Sequence, residues 1–371
     1  MAISMFTDIY RGRRVLVTGH TGFKGSWLCE WLLQLGAKVT GFSLAPDTTP
    51  ALFNVLGLDR RLHAHHLGDV RDPAAVLQVM QAARPEVVLH LAAQPLVRLS
   101  YREPAATWGS NVMGTVHVLE AIRATPSVRA CVVVTSDKCY ENREQLWGYR
   151  ENEAMGGHDP YSASKGATEL AVASWRRSFF QDPAGCRLAS GRAGNVIGGG
   201  DWAADRIVVD FVAAIAAGQT LHLRNPQATR PWQHVLEPLS GYLWLGANLL
   251  AADGARCADG WNFGPADASV TTVGDLAQRM VAAWGSGQVD TSGQVGQPHE
   301  AGLLKLDVSK AAAKLGWHGI WDVDRTVRET VRWYQAHHRG GSDLAALTRT
   351  QIADYAATAL SQAVAWAEPA H

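Results

Sequence analysis

Tyr161 and Lys165 stand four residues apart in Y-S-A-S-K, which puts both side chains on one face of a helix. A phenol of pKa about 10 is a poor base at neutral pH, and a neighbouring ammonium lowers that value toward the useful range. Such pairs are common on surface helices, so the meaning of this one depends on its company. Ser136 ends an apolar run at 130–135 and could share a substrate hydroxyl with Tyr161; Asp137 and Lys138 follow it at once.

A second constellation is T-G-H-T-G-F-K-G, with Gly19, Gly22 and Gly25 spaced G-x-x-G-x-x-G around Thr21, Phe23 and Lys24. Small residues between a strand and a helix let the backbone approach a pyrophosphate, and the helix start offers free amides and a favourable dipole. A kinase-type phosphate loop is excluded, because Lys24 precedes the last glycine instead of following it. The second strand ends at Ser43, with neither an acid for the ribose hydroxyls nor an arginine for a 2′-phosphate, which favours NAD over NADP. Asp69, followed by Val70 after the third strand, could accept from the adenine amino group or cap a helix.

These residues need a scaffold. Strand-like runs at 14–18, 38–42, 63–67, 87–91, 130–135 and 187–192 alternate with helical stretches, among them 27–35, 73–83 and 161–180. That alternation predicts an α/β fold with a doubly wound parallel sheet. Past Gly194 the chain turns glycine-rich and is punctuated by prolines. The expected division is therefore a dinucleotide-binding domain at 1–193 and a substrate lobe mainly at 194–371, with some return to the first domain. The stretch after Gly340 reads as a helical packing appendage.

At 371 residues with 34 basic and 34 acidic side chains, no net field attracts nucleic acid or a membrane surface. No apolar stretch is long enough to span a bilayer, and five scattered cysteines fit reduced thiols, so the expected location is the cytoplasm. His63, His65 and His66 lack a carboxylate or cysteine partner and read as a polar strand; no metal site is expected.

The glycine loop, the strand-end serine and Y-x-x-x-K, in that order, resemble the extended short-chain dehydrogenase/reductase family, also called the NAD-dependent epimerase/dehydratases. GHTGFKGSW, LAAQPLVRLSY, TSDKCYEN, MGGHDPYSASKG, AGNVIGGGDWAADR and RPWQHV are similar to its nucleotide-sugar 4,6-dehydratases, in the branch acting on CDP-glucose. The resemblance implies bound NAD, oxidation at C4, loss of water across C5 and C6, and return of hydride to C6. Tyr161, Lys165 and Ser136 would serve the first step and Asp137 would protonate the departing 6-hydroxyl. Where most relatives carry a glutamate as C5 base, this chain has Lys138. A lysine acts as base only if its pKa is lowered; otherwise it would steady the enolate as a cation, or pair with Glu141 at the surface.

The same resemblance puts Leu91, Ala92, Ala93 and Asn111 with the cofactor, Asn111 also as a buttress of the catalytic helix. Gln94, Arg98 and Asn195 would border nicotinamide and sugar. Arg206 and Arg230 suit phosphate oxygens, and Trp232 could stack on a base or serve as core. A homodimer through two long helices is implied. The competing readings are a nucleotide-sugar 4-epimerase, which would not need Asp137, and a dinucleotide sensor without activity.

Overall fold

A computed structural model describes residues 3–265, 269–293 and 302–369. Seven strands form one parallel sheet: β1 (Arg14–Thr18), β2 (Lys38–Ser43), β3 (Ala64–Leu67), β4 (Val87–His90), β5 (Ala130–Val134), β6 (Arg187–Ala193) and β7 (Gly260–Phe263). Their order is 3-2-1-4-5-6-7, so the winding reverses between β1 and β4. Every residue of β4, β5 and β7 is buried, as expected when helices cover both faces of a sheet.

The helices start where local chemistry allows. Helix α1 (Phe23–Gln34) opens at Gly22 with no side-chain cap, leaving its first-turn amides to the cleft. Helix α2 (Pro73–Ala83) is capped by Asp72, whose carboxylate accepts from the amides of Ala74 and Ala75. Helix α3 (Pro160–Phe179), which carries Tyr161 and Lys165, is capped by Asp159 and has proline at its first position, where a missing N–H costs nothing. Between β4 and β5 the chain is not one long helix. It runs as Val97–Arg102, then Pro104–Trp108, a π-helical turn Gly109–Met113, and Gly114–Arg123. Pro104 bars continuous helix through residue 103, and the wide turn swings Asn111 inward.

The chain from Val196 builds short two-stranded pieces around helices Ile207–Ala216 and Val273–Trp284. In between, helix Leu236–Leu250 and strand β7 rejoin the main sheet beside β6. Helix Leu344–Ser361 packs back on α1, and Ala367–Pro369 pairs antiparallel with Ile3–Met5. Trp366 stacks on Phe6 at 4.9 Å and meets Trp31 edge-on. Buried Glu237 ties this tail down, accepting from the amides of Ile320 and Trp321 and the hydroxyl of Tyr355. All five cysteines are free and buried, and among the described residues no helix is long and apolar enough to cross a membrane.

Candidate active site

The carboxyl ends of the strands open on a cleft of about 930 Å³, lined by the glycine loop, the ends of β4 and β5, the start of α3 and the 194–232 segment. Gly19 lies at φ +76°, and a Cβ there would sit 2.7 Å from the Ala92 nitrogen; at Gly25 a Cβ would sit 2.1 Å from the Gly19 carbonyl oxygen. Only hydrogen fits, which brings the backbone to the cleft wall and leaves the first-turn amides of α1 facing a ligand. Those features fit a dinucleotide. Thr21 is turned away, bonded to Ser43 and the Leu44 carbonyl, and so pins the loop to β2. His20 in the same loop is buried against His65 at 2.7 Å, and burial drives its pKa down to about 3. Its ring fills the space above Gly41, where a Cβ would come within 2.3 Å. His65 is thus a loop support, and among the described residues no cluster of His, Cys, Asp and Glu could hold a metal.

At the adenosine end Asp69 lines the cleft but is already held by Arg71, whose Nε donates to it at 2.8 Å; that bond keeps the carboxyl below its usual range. Asp72, not Asp69, caps the helix. Val70, Leu91, Ala92 and Ala93 line the wall, and so does Asp47, an acid in the loop beyond β2 that strand-end reasoning passes over. Asn111 lies behind the cleft instead of in it: its amide donates to Ser164 Oγ at 2.8 Å, and Ser164 donates to the Tyr161 carbonyl. It buttresses α3 and does not line the dinucleotide wall.

Ser136, Asp137, Tyr161 and Lys165 are all nearly or fully buried at the centre. Ser136 Oγ donates to Asp137 Oδ1 at 2.8 Å and also meets the Tyr161 phenol, while Asp137 Oδ2 has no partner. Lys138 is half-buried with Nζ 3.8 Å from Asp137 Oδ1; its ion pair is with that carboxylate and not with Glu141. The expected lowering of the tyrosine pKa is not what the protein alone produces. Burial pushes Tyr161 up to about 12, ahead of the opposing Ser136 bond and Arg206, and lowers Lys165 to about 8. Desolvation outweighs the Ser136 bond and the Arg206 charge at Tyr161, and the Glu169 charge at Lys165.

Beneath Lys165, one helical turn on, lies Glu169, fully enclosed by donors. Ser190 Oγ reaches it at 2.7 Å and Arg192 Nη2 at 2.8 Å, and Thr135 donates to its other oxygen. Arg192 in turn donates to Tyr140, and Tyr140 to Asn262, so β5, β6, β7 and α3 are joined under the reacting groups. None of Thr135, Tyr140, Glu169, Ser190, Arg192 and Asn262 stands out in the sequence, since a polar residue inside an apolar strand shows no partner until the strands are ordered.

On the substrate side, Asn195 Oδ1, the Arg206 Nε and the Trp232 indole nitrogen are buried without hydrogen-bond partners, and all three residues line the cleft. Arg98 reaches Asp205 at 3.7 Å, and buried Arg230 donates to the Thr229 carbonyl at 2.9 Å. Gln94 lines the cleft as well, with its side-chain amide donating to the Leu96 carbonyl and to Thr107 and so bracing its own loop. Lys24, from the glycine loop, lines the same cleft, where Arg206 and Asp137 are the charges that act on it most.

A family model described as GDP-mannose 4,6 dehydratase matches residues 16–330. The chain is 49% identical over 353 residues to the CDP-glucose 4,6-dehydratase of Salmonella typhimurium, covering 94% of this chain and 97% of that protein. The dTDP-glucose 4,6-dehydratase of Streptomyces venezuelae, solved with NAD and TYD bound, superposes with a TM-score of 0.74 at 23% identity, covering 89% of this chain and 99% of that one. The UDP-glucose 4-epimerase of Stenotrophomonas maltophila, solved with NAD and formylated UDP-arabinopyranose, gives 0.76 at 22% identity, covering 89% and 100%. The two structural likenesses establish the doubly wound fold; the family match spans both the glycine loop and the Tyr161 helix. The chain belongs to the GDP-mannose 4,6-dehydratase family, within the short-chain dehydrogenase/reductases that act as nucleotide-sugar epimerases and dehydratases.

Proposed function

We propose that this protein is a cytoplasmic CDP-glucose 4,6-dehydratase that forms CDP-4-keto-6-deoxyglucose with no net use of its NAD. The observation that carries the reading is Asp137, a carboxylate 0% exposed, bonded to the serine that meets Tyr161 and with one oxygen unpartnered. Inverting C4 needs no such group; expelling a 6-hydroxyl does. The relative at 49% identity, named for CDP-glucose, supports both the base and the reaction.

The amides at 23–25, the Gly19 and Ala92 backbone and Asp69 would hold NAD, and Asp47 disfavours an added 2′-phosphate. When bound, NAD supplies the electron-pair acceptor for C4, a positive charge beside the phenol, and later the donor to C6. Tyr161, through Ser136, takes the 4-hydroxyl proton, with Lys165 below it to favour the tyrosinate. The resulting ketone acidifies C5–H, and the Asp137–Lys138 pair handles the C5 proton and the proton given to the leaving hydroxyl. Residues 1–193 carry the dinucleotide and most of 194–371 the nucleotide sugar. A homodimer through the 97–123 segment and α3 is supported by Trp108, Met113, Leu170 and Phe179, large apolar side chains exposed there.

The test is CDP-glucose deuterated at C4, followed by the alkali-induced ketosugar chromophore and mass spectrometry. Deuterium should arrive at C6 of a product lighter by one water. An epimerised hexose with no chromophore would establish the 4-epimerase instead, and bound NAD with no turnover would leave a sensor.

A further inference from the structure

Lys24 sits on the first turn of α1, and its half-buried side chain lines the cleft. The turn after it is fastened to the substrate lobe, since Trp27 Nε1 donates to the Gly199 carbonyl at 2.9 Å. Phe23, beside Lys24, also packs near Gly198, so the first turn of α1 borders the 198–206 segment. Its strongest charged neighbour is Arg206, followed by Asp137, Lys165 and Lys138. No hydrogen bond or ion pair joins the Lys24 ammonium to another described residue, and the buried Arg206 Nε makes no hydrogen bond; Asp201, 4.0 Å from that Nε in a loose ion pair, is the acid of the 198–206 segment acted on by both cations. Two cations that share one loosely held carboxylate across a partly desolvated cleft still repel, and a further anion between them relieves that repulsion. Burial and Arg206 lower the Lys24 pKa to about 8, as that arrangement requires.

Two phosphate groups are candidates to fill the gap. The dinucleotide's pyrophosphate has the backbone amides of the α1 start, which need no side chain. Lys24, Arg206, Asp137 and Tyr161 instead line one cleft, and Arg206 acts on both Lys24 and the Tyr161 phenol, so the gap lies on that side of it. We propose that Lys24 and Arg206, one from each lobe, together seat the sugar-side phosphate of the substrate, making a lysine of the dinucleotide loop a substrate-binding residue. The inference rests on the nucleotide-sugar reading above. Substrate then draws the two lobes together, because its phosphate neutralises a repulsion between them.

The experiment compares CDP, which carries that phosphate, with CMP, which lacks it, by calorimetric titration of the NAD-loaded enzyme. Lys24→Met should weaken CDP about ten- to hundredfold, the value of one charge-assisted bond, and leave CMP and NAD retention unchanged. Lys24→Arg, which keeps the charge, should retain most of the preference for CDP, and Arg206→Met should lose it as Lys24→Met does. Equal losses for CDP and CMP, unchanged CDP affinity, or loss of NAD instead would each overturn the assignment. If the unaltered enzyme binds neither nucleotide, the nucleotide-sugar reading itself falls and takes this one with it.

Discussion

Replacing Glu169 by glutamine should cost the fold about 3–5 kcal/mol, the usual penalty for stripping a buried ion pair of one partner. Arg192 would be left 5% exposed with its guanidinium facing an amide, and Ser190 and Thr135 would lose a charged acceptor. Burial by itself would raise the Glu169 pKa, but Arg192 and the hydroxyl donors outweigh it and hold the carboxyl below its ordinary 4.5. Its stabilisation is therefore complete above that pH and is lost as the pH falls through the lower folded value. Urea unfolding across the acid range should show this loss in the unaltered protein and not in Glu169→Gln. Glu169 also holds the Lys165 pKa up against burial, so the alkaline limb of the activity profile should move to lower pH in the variant. Adding Arg192→Met should recover much of the lost stability, since no unpaired charge remains. A Glu169→Gln protein within about 1 kcal/mol of the parent, or a double variant whose losses simply add, would refute the reasoning.

Tyr161→Phe should abolish turnover while NAD remains bound through gel filtration; surviving turnover would remove the tyrosine from the chemistry. Gly25→Ala forces a methyl to 2.1 Å from the Gly19 oxygen and should release the dinucleotide, read as lost NAD content in the purified protein. Asp137→Asn should still oxidise C4, seen as reduced-cofactor absorbance, but fail to eliminate water, so that absorbance persists and no chromophore forms. Burial raises Glu237 from 4.5 to about 7, so the folded protein binds that proton more tightly than the unfolded chain does. Stability should then fall by roughly 3 kcal/mol between those two pH values and level off above them, a slope that Glu237→Gln abolishes in denaturant titrations.

The sheet was readable because its strands are short apolar runs with punctuation at each end. V-L-V-T before a glycine and A-C-V-V-V before S-D-K announce themselves, and D-P-Y announces the start of α3. Pairings across long separations were not readable: nothing at Ile3–Met5 points to Ala367–Pro369. The break in the helical stretch at 97–123 is not readable locally, because Pro104 looks like an ordinary first-turn proline until Glu103 is seen to leave the helical conformation. Around the site, spacing placed Tyr161 and Lys165 on one face, but the direction of the tyrosine shift depends on how much water the fold removes. The enclosure of Glu169 is set by Thr135, Ser190 and Arg192, each more than twenty residues away, which local pattern does not carry.

His20 and Gly41 occupy one space between them, the imidazole of the first standing where a side chain on the second would have to go. The two positions are therefore locked in exchange. Anyone transplanting the nucleotide loop of another protein onto this sheet has to swap both at once: a bulkier residue 41 with the histidine retained splits the loop from β2, and a small residue 20 with the glycine retained leaves a hole. Libraries that randomise the loop alone will return few working clones, and those that vary the two sites in tandem will return many more.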